Sequence, residues 1–172
     1  AIYLETDVTD EAAVRATVDT TIERFGRLDI LVCCAGILGW EKPFLEQTAE
    51  QFIKVMAINV HGVYHAHQAA IPKMLEQGWG RCVTMTSGAR HGSTNQVPYG
   101  VSKGAVYSFV GALGNAWPKQ NVFVNGVEPG RALTDMVVPR FTEEFLKDPG
   151  NPIGRYSDPE EVAEVIEFLC SE

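Results

Sequence analysis

No stretch of the sequence approaches the ~20 consecutive apolar residues that a membrane-spanning helix needs. The opening residues, Ala1-Ile2-Tyr3-Leu4-Glu5, turn acidic too early for a secretory signal. Both absences point to a cytoplasmic protein with no membrane partner. Basic residues are scarce: 14 Lys and Arg against 22 Asp and Glu give a net charge of −8. Nucleic-acid surfaces need clustered Lys and Arg, so no nucleic-acid partner is expected. A small anion held by backbone amides is still compatible with this balance. Cysteine is limited to Cys33, Cys34, Cys82 and Cys170, and no Cys-x-x-Cys occurs. A zinc site is therefore not expected, and reduced, mostly buried thiols are. His61, His65 and His67 fall on one helical stretch, but only His61 and His65 share a face. They read as surface or interface residues, not as metal ligands. An initiator methionine is also missing, which points to processing or truncation.

What is present is a balanced globular composition, 45% hydrophobic and 21% charged over 172 residues. One domain, residues 1–172, with a sizeable core is the simplest count. Ile2 to Thr6 is a short β-prone run ending at Asp7. Asp10 to Phe25 reads as a helix, with Val14, Val18, Ile22 and Phe25 on one stripe and Gly26 as its stop. Leu28 to Cys33 is a nearly continuous apolar strand, as expected when both faces of a parallel sheet are covered. Thr48-Ala49-Glu50-Gln51 is a capping box opening a long helix from about Ala49 to Glu76, which Pro72 bends late. Cys82 to Thr86 is a strand, Tyr99 to roughly Trp117 a helix, and Asn121 to Val127 a strand. Residues 131–157 read as a lid-like region carrying Pro139, Pro149 and Pro152. Asp158 caps a last helix with Pro159 at its first position and Glu161 at its third; Val162, Val165, Ile166 and Leu169 form its buried side. The alternation of strands and helices predicts an α/β fold, a doubly wound parallel sheet with helices on both faces.

In such a sheet, ligands bind at the carboxyl ends of the strands. Four predicted strand ends carry suggestive residues: Asp7, Cys34-Ala35-Gly36, Ser87-Gly88 and Pro129-Gly130. Tyr99 and Lys103 begin the helix after the third of these and lie four residues apart, on one helical face. A cation beside a phenol favours the phenolate, so the tyrosine pKa is expected to fall from about 10 toward neutrality. Tyr99 is thus a candidate general acid/base. A surface helix start with a solvated lysine has the same spacing; the convergence at one sheet edge argues for the chemical reading.

The chain resembles the short-chain dehydrogenase/reductase family, in its single-domain branch, over nearly its whole length. Arg24 to Val32 followed by Cys33-Cys34-Ala35-Gly36 is similar to the family's lead into Asn-Asn-Ala-Gly, and Asn59-Val60-His61-Gly62 to its Asn-Val-x-Gly. Ser87 stands where the catalytic serine ends its strand, 12 positions before Tyr99, and Tyr99 to Lys103 matches Tyr-x-x-x-Lys. Asn125, Glu128-Pro129-Gly130 and Thr134 resemble the Pro-Gly-x-x-x-Thr segment, and Asp158 to Ala163 the start of the late helix. The resemblance implies a Rossmann-like fold and hydride transfer between NAD or NADP and an alcohol or carbonyl, with a small-molecule alcohol or ketone as substrate. It implies Tyr99 as proton donor or acceptor, Lys103 as its pKa-lowering partner and ribose ligand, and Ser87 as holder of the substrate oxygen. Asn59, by backbone carbonyl or side chain, would hold a water next to Lys103 in a proton relay. Asp7 would meet the adenine amine, and Ala35 and Gly36 would let the adenosine ribose approach. Pro129, Gly130, Ala132 and Thr134 would contact the nicotinamide carboxamide. A homo-oligomer, dimer or tetramer, is implied as well.

Three departures from the family pattern stand out. Cys33 and Cys34 replace two asparagines, and thiols are poor hydrogen-bonding substitutes for amides. The glycine-rich phosphate loop and the strand that reads the ribose 2′ position would lie upstream of Ile2, about one and a half βαβ units. The family's final strand would follow Glu172. The expected reading is a fragment of a longer enzyme, incomplete at both ends of the sheet. Two alternatives share these residues: a truncated, non-catalytic binding or assembly protein, and a sugar-nucleotide epimerase, which also uses Tyr-x-x-x-Lys.

Overall fold

The computed structural model describes residues 1–136 and 150–172. Helix α1 spans Glu11–Phe25; the Asp10 carboxylate caps it by accepting from the N–H groups of Ala12 and Ala13, and Gly26 closes it in the left-handed conformation. Strand β1 follows at Ile30–Cys33. Helix α2, Ala49–Met56, starts on the Thr48–Gln51 capping box. Helix α3 spans Gly62–Gln77, strand β2 Gly80–Met85, helix α4 Val97–Gly114, strand β3 Val122–Val127 and helix α5 Pro159–Cys170. The three strands form one parallel sheet in the order β1-β2-β3. Cys82 sits between Leu31 and Val124 in the register.

Residues alternate across β2, so its two faces meet different helices. Cys82 faces α3 and α4 in a cluster with Val63, Ala70, Met74, Val106 and Val122. Met74 and Cys82 are fully buried there, and each large apolar side chain so buried contributes about 1.5–3 kcal/mol. Helix α1 lies beside α3 through Val14, Val18 and Ala69. Arg81 belongs to the opposite face, where its Nε donates to the Ser171 carbonyl just past α5 (3.3 Å). Helices thus cover both sheet faces, as the alternating pattern predicts.

Several local expectations change. Ile2 to Thr6 forms no strand among the described residues, since β propensity makes no strand without a neighbour. The single long helix expected from Ala49 is interrupted by a π-helical turn, Ala57–His61. From this turn the side chain of Asn59 bonds to another segment of the chain, at Ile37 (below). α4 starts two residues before Tyr99, with Pro98 in its first turn, where the missing N–H costs nothing. On α5, Val162, Ile166 and Leu169 are half-buried but Val165 is 48% exposed. His67 is not a surface residue: it is 1% exposed, its Nδ1 lies 2.8 Å from the Val63 carbonyl and its Nε2 3.4 Å from the Thr84 hydroxyl. It lies on the core-facing side of α3, which the comparison with His61 and His65 alone did not settle.

Candidate active site

Four segments meet at the carboxyl end of the sheet. Past β1, the chain runs through Ala35 and Gly36 to Ile37. The Asn59 side chain clamps Ile37 from the π turn: its Oδ1 accepts from the Ile37 N–H (2.8 Å) and its Nδ2 donates to the Ile37 carbonyl (2.9 Å). The second Nδ2 proton goes to Ser102 Oγ (3.0 Å). Both amide donors of Asn59 are therefore engaged. Gly36 packs beneath this clamp; a Cβ there would lie 3.3 Å from Asn59 Oδ1 and 4.0 Å from Lys103 Nζ. The close approach explains glycine at this position and puts Asn59 and Lys103 over the same point of the chain.

Lys103 is 7% exposed and donates to the Met85 carbonyl at 2.7 Å. Burial pushes its pKa down, partly offset by the neighbouring Cys34 thiol. An ammonium has three N–H donors, so two remain for a ligand. Tyr99 is half-buried, and the Lys103 Nζ stands 5.7 Å from its ring centroid. Burial pushes the phenol pKa up from 10, and a hydrogen bond with Ser87 opposes that. The expectation that Lys103 lowers the Tyr99 pKa is thus corrected for this state: the ammonium is turned to Met85, and desolvation dominates. Ser87 caps a short 3-10 turn, Gly88–His91, by accepting from the Ala89 N–H (3.2 Å). Gly100 lets α4 lie against that turn, since a Cβ there would be 2.9 Å from the Ala89 carbonyl. Thr86, the other hydroxyl at this strand end, is buried and donates to the Val127 carbonyl (3.0 Å). Thr86 is thus committed to the sheet, while Ser87 acts to lower the Tyr99 pKa.

The residues expected at the cofactor are more dispersed. Asp7 is exposed, and its carboxylate accepts from the Thr9 N–H (2.9 Å) and hydroxyl (2.8 Å), which hold its pKa below the usual value. It does not cap α1, since Asp10 does. Its neighbour Val8 lines a cleft of ≈ 120 Å³ together with Cys33, Cys34 and Ala35. Pro129 and Gly130 follow β3 directly. The Leu133 N–H donates to Ser157 (3.0 Å) and the Ser157 N–H to Arg131 (2.9 Å), around a parallel bridge between Ala132 and Ser157. The start and the end of the expected lid region are therefore tied together next to Thr134. Its stretch 137–149, with Pro139 and Pro149, lies outside the described residues.

One participant escaped sequence reasoning. Ser102 is fully buried and bridges Asn59 to the Tyr99 carbonyl, to which its hydroxyl donates (2.8 Å). Its place inside the Tyr-x-x-x-Lys motif was the available signal. Arg90, whose loop position beside Ser87 offers a charge on the substrate side by sequence, forms an ion pair with Glu128 (2.5 Å) and lies 3.9 Å over the Tyr107 ring, tying the Ser87 turn to the exit of β3.

A parallel sheet with helices on both faces, whose carboxyl edge gathers a serine, a tyrosine, a partly satisfied lysine and a clamped asparagine, is a Rossmann-type fold. The family model described as Enoyl-(Acyl carrier protein) reductase matches residues 1–172. The chain belongs to the short-chain dehydrogenase/reductase family, whose members use NAD or NADP. Levodione reductase of Leifsonia aquatica is 36% identical over 178 residues, covering 96% of this chain and 66% of that protein. The structure of an NAD+-bound xylitol dehydrogenase superposes with a TM-score of 0.88 at 31% identity, covering 97% of this chain and 71% of the other. That of ElxO with NADP bound gives 0.92 at 26% identity, covering 99% and 71%. The chain spans about two thirds of the length of the curated relatives it matches, 68% and 66% in two cases.

Proposed function

We propose that this chain carries the proton-transfer site of an NAD(P)-dependent dehydrogenase/reductase acting on a small alcohol or ketone. The observation that carries the reading is the buried Lys103 ammonium with two unused donors beside Gly36 and Asn59. A buried cation left short of acceptors fits the vicinal hydroxyls of a nicotinamide ribose. A bound nicotinamide supplies or accepts the hydride. In reduction, Tyr99 donates its phenolic proton to the substrate oxygen while Ser87 holds that oxygen. Its raised pKa keeps the proton in place for that step. In the oxidative direction, Tyr99 must first lose the proton, and a Lys103 turned from Met85 toward the cofactor ribose assists that loss. Asn59 serves the relay through its backbone carbonyl, because both donors of its side chain are engaged.

Asp7, Ala35 and Gly36 are assigned to the adenosine half, and Pro129, Gly130, Ala132 and Thr134 to the carboxamide. The whole is read as one domain, with 131–157 as its substrate lid. Self-association as a dimer or tetramer and a cytoplasmic location complete the reading; the four cysteines are free thiols, and among the described residues no helix is long and apolar enough to cross a membrane. The deciding experiment is Tyr99→Phe in the intact protein, assayed with levodione and xylitol as probe substrates. Turnover is expected to fall by about 10²–10⁴ with NAD(P)H affinity within twofold. Unimpaired turnover sinks the role of Tyr99.

A further inference from the structure

Ser102 stands between Tyr99 and Asn59, which belong to different helical segments of the site. Its hydroxyl is 0% exposed. It donates to the Tyr99 carbonyl at 2.8 Å and accepts from Asn59 Nδ2 at 3.0 Å. A hydroxyl has one proton to give, so this donor direction is fixed by the Tyr99 carbonyl, which cannot donate. The amide NH₂ of Asn59 must then face Ser102, and Asn59 Oδ1 must face the Ile37 N–H, as observed (2.8 Å). The Ile37 N–H and carbonyl demand the same amide orientation, so the Ser102 hydroxyl and the Ile37 backbone hold Asn59 from two sides. Asn59 sits in the π turn Ala57–His61, and single widened turns of this kind are frequent at functional sites. The connection runs from the backbone of the proposed acid/base residue, through Ser102 and Asn59, to the backbone next to Gly36.

We infer that Ser102 is a positioning residue: its buried hydroxyl fixes the spacing between the Tyr99 backbone and the Asn59 amide, and through Asn59 the register of the π turn beside Lys103. Being fully buried, it acts through its two bonds, to the Tyr99 carbonyl and to the Asn59 amide. The inference rests on the function proposed above, but its test does not depend on turnover. Cβ and methyl groups leave no substitute donor at this buried point, so Ser102→Ala frees Asn59 Nδ2 and removes the tie to Tyr99.

The test follows the ionisation of Tyr99 by ultraviolet difference titration, as the spectrum of the intact protein minus that of its Tyr99→Phe variant, with Ser102 unchanged or substituted in both. Ser102→Ala is expected to move the Tyr99 midpoint by ~0.5 pH unit or more. In an Asn59→Ala background, the same substitution should move it by less than a third of that. Ser102→Thr, which keeps the hydroxyl, should restore the wild-type midpoint even if its methyl group lowers the melting temperature. If Ser102→Ala does not fold, Ser102→Cys, of similar size but weak hydrogen-bonding capacity, takes its place. An unmoved midpoint in the folded variant overturns the inference. So does an equal shift with and without the Asn59 amide, which would mark Ser102 as a purely structural contact. Wild-type turnover in Tyr99→Phe would instead overturn the proposed function and leave the Ser102 coupling to be read separately from the titration.

Discussion

The sheet carries a buried cation at each end, and the two are finished differently. At the amino end, Arg81 is 7% exposed and donates to the carbonyls of Gly80 (3.1 Å), Asn121 (3.0 Å) and Ser171 (3.3 Å). Its guanidinium lies between the Trp79 and Phe123 rings, 4.4 and 4.6 Å from their centroids. No carboxylate is among its bonded partners; carbonyl dipoles and aromatic faces replace one. At the carboxyl end, Lys103 is buried to the same 7% but has one carbonyl, that of Met85. Equal burial with unequal satisfaction separates a cation that holds the fold from one that awaits a ligand. The residue types agree with this: Arg spreads its donors in a rigid plane that suits several carbonyls at once, whereas Lys presents a compact charge whose pKa moves on burial.

The sharpest way to break the comparison is to remove each cation in turn. Lys103→Ala should lower turnover by about 10²–10³, the cost of losing one stabilising donor at a reacting centre. NAD(P)H affinity, measured by direct fluorescence titration, should weaken as well, while the melting temperature hardly falls, because the variant no longer buries a charge. Unchanged affinity would count against the ribose contact. Arg81→Ala should do the reverse: about 2–3 kcal/mol of stability lost in urea unfolding, from orphaned carbonyls and lost ring contacts, with turnover of the folded fraction kept within twofold. If Arg81→Ala lost turnover without losing stability, the division between the two ends would fail.

A smaller effect should come from His67, between the two ends. Burial holds its pKa below 6.5, so the unfolded chain binds a proton more readily than the folded one. Its contribution to stability is complete above pH 6.5 and is lost as the pH falls through the lower folded value. Unfolding measured from pH 7.5 to 5 should show this slope, and His67→Gln should flatten it. The smallest effect belongs to α5. Arg155 holds the exposed Glu161 carboxylate down to about 2 from 4.5, so its stabilising influence is present above pH 4.5 and fades toward pH 2. Glu161→Gln should slightly lower the melting temperature at pH 7 and leave it unchanged near pH 2.

These contrasts were only partly legible in the sequence. The strands β1, β2 and β3 were readable because apolar runs bounded by Gly and Pro turns leave few alternatives. So was α1, whose Asp10 cap and Gly26 stop are local signals. The convergence of Ser87, Tyr99 and Lys103 followed from strand ends meeting at one edge. What stayed hidden depends on partners distant in the chain. The clamp requires Ile37 to meet Asn59, 22 residues away, and no local periodicity encodes that. The direction in which the Lys103 ammonium turns depends on a carbonyl 18 residues upstream. The raised pKa of Tyr99 reflects burial, which the spacing of two residues on a helix does not reveal.

The π turn has a consequence for insertions and deletions. It holds one more residue than an α-helical turn would, so deleting a single residue between 57 and 61 should leave a more regular helix, not a broken one. That repair would keep α2 and α3 in phase, because the widened turn takes up the extra residue, but it would redirect the side chains within the turn and take the Asn59 amide away from Ile37. Helical regularity and site geometry are opposed at this point of the chain. Length alone, across 57–61, should therefore distinguish homologues that keep the clamp from those that have straightened the helix and lost it.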